Sequence, residues 1–258
     1  NQKGLNLMDI TSLLGPIIGI GAIVLGLIME GGHLTSVIQF TAFMIVIGGT
    51  FGAVCVAFPL EDLIGAVKSI RNIVRNSEAN PEQITADILD LAQTARKESI
   101  LSLEKKRESI EYAPLSTAIR LAVDGTDPKI IRETLETAQQ VEGDRQEVFA
   151  GVWETTGGIA PTIGILGAVI GLIHVMENLD RPEQIGPGIA VAFVATLYGV
   201  GTANILFIPM AKKIRRKAKL DAIARDMVII GIEGILSGLN PKVIQEKLSI
   251  FIGTQAKG

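Results

Sequence analysis

Two threonines, Thr162 and Thr196, place hydroxyl oxygens inside long apolar stretches, and His174 adds a titratable ring near the far end of one of them. Hydroxyl oxygens can replace part of an ion's water shell, and an imidazole can relay a proton near neutral pH. Each residue also has a plainer reading. A membrane-helix Thr commonly bonds back to its own turn, and a histidine at the end of a span suits the headgroup level. Pro161 and Pro209 sit in the same stretches. A proline inside a helix removes a hydrogen bond and favours a kink. The two are expected at the same depth on adjacent helices, where paired kinks flex together. Other chemistries lack their parts, because the chain has only two histidines and one cysteine. No Gly-rich phosphate loop, metal-spaced His/Cys cluster or nucleophile triad is present, so neither an enzyme nor a metal or cofactor site is expected.

These side chains must be held by four stretches that contain no Asp, Glu, Lys or Arg: Ile10–Met29, Gly31–Leu60, Thr155–Met176 and Gln184–Ala211. Each meets the roughly 20 mostly apolar residues that cross a bilayer. A hydrophobic content of 48%, a mean hydropathy of +0.40 and 28 glycines place the chain in the membrane class. A protein that moves ions usually keeps an ionisable group within the membrane. With no carboxylate in any stretch, a partner chain is expected to supply it. Cys55 is expected to be a small buried hydrophobe. Met8-Asp9 is expected to be the natural start, with Asn1–Leu7 carrying no function.

The link Glu30–Leu34 has no Lys or Arg, and Glu177–Gly186 has only Arg181. The segment Pro59–Glu154 holds twelve, with Lys68, Arg71 and Arg75 close to the second stretch. Lys212, Lys213, Arg215, Arg216, Lys217 and Lys219 follow the fourth. Positive residues stay on the cytoplasmic side, so both termini and the long loop are expected in the cytoplasm. The basic run after span four is expected to meet anionic lipid headgroups. Nucleic acid is excluded, because the long loop also carries eighteen acidic residues and no basic, aromatic-laced surface.

The charged half reads as helical. Asn80-Pro81-Glu82-Gln83 carries an N-cap, a proline at the first helical position and a Gln three residues after the cap. It predicts one helix to about Glu108. Asp127-Pro128 repeats the signal and leads towards span three. Ile223, Met227, Ile230 and Ile235 continue an amphipathic helix after span four, Gly238 closes it, and Asn240-Pro241 opens a last one. The expected fold is all-α: segment 1–9, spans 10–29, 34–58, 155–176 and 186–211, and a helical cytoplasmic domain built from loop 59–154 and tail 212–258. Small residues four apart, Gly15/Gly19, Gly48/Gly52, Gly167/Gly171 and Ala195/Gly199, predict close helix contact.

The runs GIAPTIGILGAVIGLIHVMENL at 158–179 and GPGIAVAFVATLYGVGTANILFIP at 186–209 resemble spans three and four of the MotA family of flagellar motor stator proteins. ARKESILSLE at 95–104 resembles that family's loop. The APT and TLYG pieces are shared with the wider MotA/TolQ/ExbB group, whereas four spans and the Arg-x7-Glu loop pattern mark stators. The resemblance implies a homopentamer around two copies of a MotB-type partner, which brings a membrane Asp and a peptidoglycan anchor. Ion flow through the inner membrane would turn the ring against the rotor protein FliG. It implies that Arg96 and Glu104 meet FliG; by spacing alone they share one broad helix face, about 80° apart. It implies that Pro161 and Pro209 couple conformations, and that Thr196 and Thr162 lie by the ion path. Related sodium stators carry Thr where this chain has Ala168, so the proton is the expected ion. An ExbB/TolQ-like energiser of outer-membrane work is the alternative, and a scaffold without ion flux is a third reading.

Overall fold

The computed structural model describes residues 9–74 and 80–255; the expectations on Asn1–Leu7 and Arg75 lie outside them. Every regular element among these residues is helical. Four helical stretches are long and apolar enough to cross a membrane: Ile10–Met29, Leu34–Ala57, Pro128–Glu177 and Ile185–Leu236. The chain divides into two units, one within residues 1–76 and 147–215, the other within 77–146 and 216–258.

In the first unit, span one, Ile10–Met29, has no buried residue, and Ile17 and Ile18 are each 65% exposed. So apolar a surface needs lipid or another chain to cover it. The helix start is tied down by Asp9, whose N–H donates to the Val74 carbonyl at 2.7 Å and whose carboxylate pairs with Lys213 at 2.6 Å. Cys55 is exposed, correcting the expectation of burial. A small apolar side chain facing outward costs nothing where the surroundings are themselves apolar. The interior centres on Trp153, whose indole stacks on Phe207 at 5.9 Å and donates to the Ala66 carbonyl at 3.0 Å. A buried indole needs such an acceptor.

Span two is not one helix. Leu34–Val37 is followed by extended Ile38 and Gln39 (φ −100°, ψ 99° and φ −131°, ψ 116°) before the helix resumes at Phe40. A wider π-helical turn follows over Met44–Gly48, and a second occupies Ala203–Phe207 in span four. The second has a local cause. Pro209 offers no N–H and its ring crowds the carbonyl four residues earlier, so the turn before it opens.

The second unit is a helical core made jointly by the loop and the tail. Ile84, Ile88 and Leu91 of helix Pro81–Lys97 meet Leu103, Leu115, Ile119 and Ile131, together with Met227, Ile232, Ile244 and Leu248 of the tail. Each is nearly or wholly buried. Asn80 caps the first helix by accepting from the Glu82 and Gln83 N–H groups at 3.0 and 3.4 Å. Gly125 and Gly238, at φ 75° and 66°, close turns that a side chain would strain. Tyr112 donates to Asp221 at 3.0 Å, and Asp221 accepts from Arg225 at 2.7 Å. Burial, then the Asp221 charge, pushes the Tyr112 phenol far above its ordinary range and keeps it a donor.

The helix expected through Glu108 ends at Lys97. Ser99 is extended, a short 3₁₀ turn covers Ile100–Ser102, and a new helix runs Leu103–Arg107. The chain folds back so that Leu103 reaches the core and Lys106 pairs with Asp90. An unbroken helix would hold those two about 24 Å apart.

Candidate functional site

Spans three and four run antiparallel and interlock through their smallest residues. A Cβ at Gly164 would lie 2.9 Å from the Ala195 carbonyl oxygen and 3.5 Å from Thr196 Cα. One at Gly167 would meet Ala195, and one at Gly171 would lie 2.8 Å from both the Ala192 nitrogen and the Gly188 oxygen. One at Gly199 would come to 2.6 Å from the Ala160 oxygen and 3.2 Å from Pro161 Cα. Of the pairs expected from spacing, Gly167/Gly171 and Ala195/Gly199 therefore pack within the chain. Gly15, Gly48 and Gly52 face nothing within 4 Å, and Gly19 meets only Ile205. Spacing alone missed Gly164 and Gly188, because a glycine row is legible only once its facing helix is known.

Of the two expected hydroxyls, Thr196 falls on this seam, whereas Thr162 faces outward beside it. Half-buried Thr196 donates to the Ala192 carbonyl at 3.2 Å, and exposed Thr162 donates to the Ile159 carbonyl at 2.7 Å. Both use their proton on their own turn, leaving oxygen lone pairs to accept. Thr162 follows Pro161, which sits opposite Gly199; half-buried Ala168 follows Gly167. His174 is exposed at the far end of span three, where the Asn178 amide donates to its carbonyl at 2.8 Å. The same amide lies 3.5 Å from the His174 Nδ1, and among the described residues no cluster of His, Cys, Asp or Glu could hold a metal.

The prolines are not level, which corrects the expectation of equal depth. Gly157 faces Phe207 and Ile208, whereas Pro161 faces Gly199. Pro209 thus lies more than one turn nearer the charged end than Pro161.

Beyond the prolines stands a residue whose role the sequence did not reveal. Arg215 makes a double contact with Glu147, Nε and Nη2 to Oε1 at 2.9 and 2.7 Å, and donates Nη2 to Glu154 at 2.6 Å. One planar guanidinium thus grips two carboxylates two turns apart on the opposite helix. These hydrogen bonds, then the Arg215 charge, hold the Glu154 carboxyl below the usual range. A depressed carboxylate contributes stability above its unfolded pKa and loses it as pH falls through the depressed value, so the grip is complete at neutral pH.

Arg96 and Glu104 fall on separate helices flanking the Ser99 turn, so the single-face spacing does not apply. Arg96 is exposed and has no ion-pair partner among the described residues; Glu104 accepts from Arg107 at 2.9 Å.

The MotA/TolQ/ExbB proton channel family matches over residues 105–227, and the motility protein A N-terminal family over 13–99. A motility protein A of Bacillus subtilis is 35% identical over 246 residues, covering 95% of this chain and 91% of that protein. The solved C. jejuni MotAB structure superposes with a TM-score of 0.89 at 30% identity, covering 95% of this chain and 96% of that one. The flagellar MotAB stator complex of Bacillus subtilis gives a TM-score of 0.86 at 34% identity, with 93% and 95% covered.

Proposed function

This chain belongs to the MotA branch of the MotA/TolQ/ExbB proton channel family, a flagellar motor stator subunit, and from that membership we infer how its parts share the work. Five copies surround two copies of a MotB-type partner in the bacterial cytoplasmic membrane, with both termini and the long loop in the cytoplasm. The observation that carries this reading is the tightly interlocked pair of spans three and four, which hold no Asp or Glu. The partner's carboxylate titrates against their surface, and no enzymatic chemistry is required. An ExbB/TolQ-like role is disfavoured by four spans and by the motility protein A match at the N-terminal side. Expression in a strain lacking its own stators should restore swimming, and the chain should co-purify with a one-span, peptidoglycan-binding protein. Recovery of a TonB- or TolA-like partner instead would overturn this reading.

Arg96 and Glu104 present charge to FliG. Arg96 is free for that contact, whereas Glu104 must trade Arg107 for it. Exposed pairs are worth about 0.2–1 kcal/mol, so single neutralisations are expected to be nearly silent. The double reversal Arg96→Glu with Glu104→Lys should cut torque while the number of engaged stators holds. Normal swimming of that variant at ordinary abundance would remove both residues from the rotor contact.

The coupling ion is the proton. Sodium must shed water and needs several oxygens in its place; Ala168 supplies none, and the two hydroxyls of Thr162 and Thr196 are too few to replace a water shell. A proton needs only the partner's carboxylate and a transient water chain. Swimming speed at fixed pH should be flat across sodium concentration and vanish with a protonophore. Speed that climbs with sodium and survives the protonophore would reverse the assignment. The exposed Lys212, Arg216 and Lys219, four and three residues apart, face anionic headgroups; raising the anionic lipid fraction of nanodiscs should protect them from amine- and guanidine-directed labelling, and equal labelling in neutral lipid would refute it.

A further inference from the structure

The interruption of span two leaves backbone groups exposed at a depth where nothing apolar can satisfy them. The break leaves the Val37 carbonyl and the Gln39 N–H to find partners outside the helices they bound. Membrane-embedded chain tolerates such irregular backbone only when protein or water supplies partners. Here one side chain supplies both. The Tyr198 hydroxyl donates to the Val37 carbonyl at 2.6 Å and accepts from the Gln39 N–H at 3.2 Å. A phenol has one proton and free lone pairs, so it can close both sides of a gap at once.

Tyr198 is well placed for that to matter. Its neighbour Gly199 sits against the Ala160 oxygen and Pro161 Cα, and Thr196 faces Gly164. The Thr202 hydroxyl donates to the Tyr198 carbonyl at 2.6 Å. Ala42 and Val46 of span two pack on Val194 and Ala195, with Tyr198 alongside. The hydroxyl therefore fastens span two to the same two turns of span four that form the seam with span three. The closure is also incomplete: Gln39 Oε1 is enclosed and has no partner.

We propose that Tyr198 is a positioning residue of the motor, whose hydroxyl holds the break in span two shut and so fixes the face of span four that Thr196 and Gly199 present to span three. It touches no ion in this scheme and acts through the backbone it joins. The proposal rests on the stator reading, but part of its test needs no motor.

The stator complex is purified with its partner, placed in lipid nanodiscs and followed by amide hydrogen exchange across residues 34–43. Tyr198→Phe keeps the ring and removes the hydroxyl, so exchange in this segment should quicken about fivefold, the scale of one lost net hydrogen bond. In cells, torque per engaged stator should fall while the count of engaged stators stays constant. Tyr198→4-aminophenylalanine, which can still donate to Val37, should restore protection and torque. It also decides the matter if Tyr198→Phe fails to assemble, since recovery then assigns the defect to the lost donor. Unchanged exchange in Tyr198→Phe, full torque per stator, or a 4-aminophenylalanine variant no better than the phenylalanine one would each overturn the proposal. Failure of the unmodified chain to drive swimming would count against the stator reading alone, because the exchange result stands without it.

Discussion

Gly199→Ala should abolish swimming and sharply reduce the amount of folded subunit recovered from membranes. The added carbon would lie 2.6 Å from the Ala160 oxygen, 3.0 Å from Gly164 Cα and 3.2 Å from Pro161 Cα. All three are backbone atoms, so no side chain can swing aside and the two helices must separate. Overpacking of a tight core costs about 1–3 kcal/mol, and in a membrane no hydrophobic drive between helices offsets it. Separation would also pull Thr196 away from Gly164 and spoil the surface offered to the partner. Gly158→Ala is the matched comparison, since nothing lies within 4 Å of its added carbon. Measuring folded subunit by size-exclusion after mild detergent extraction checks this; equal recovery of the two variants would show that close approach is not what Gly199 provides.

Pro209→Ala should leave assembly nearly intact and remove most of the torque. The substitution restores an N–H to position 209 and relieves the ring's clash one turn back. The π-helical turn Ala203–Phe207 then loses its local cause and can tighten to ordinary α geometry. Tightening would shift the register of span four against Gly157, which packs within reach of Ile208. Bead-assay torque per stator together with fluorescence counting of engaged stators checks it. Full torque would end the coupling role of Pro209, and loss of assembly would recast it as a packing residue.

Much of this architecture was legible in the residues. Long uncharged runs can only be bilayer spans, and Asn80-Pro81 or a glycine such as Gly238 acts within a few residues of itself. What stayed hidden depends on distant partners. Ile38 and Gln39 carry no Gly or Pro to announce a break; its stabilising group is Tyr198, about 160 positions later. The turn at Ser99 follows from Leu103 and Lys106 reaching back to the core and to Asp90, which a helical periodicity cannot report. The candidate site divides in the same way. Thr162 and Thr196 were singled out by the APT and TLYG pieces that carry the family resemblance, whereas the glycines packed around Thr196 became meaningful only against the opposite helix. Arg215 looked like one cation among six in a basic run, and its commitment to Glu147 and Glu154 is purely tertiary.

That guanidinium also restricts how this region can change over generations. Glu147 and Glu154 are seven residues apart, which on a helix places both carboxylates within about 20° of one line. A single codon gained or lost between them would swing one carboxylate away by about 100°. Lysine, with a compact point charge and no planar fork, cannot span the pair either. Relatives should therefore vary freely in the outward residues between these two positions while keeping the interval at seven. An insertion there should be found only alongside a new partner for position 215.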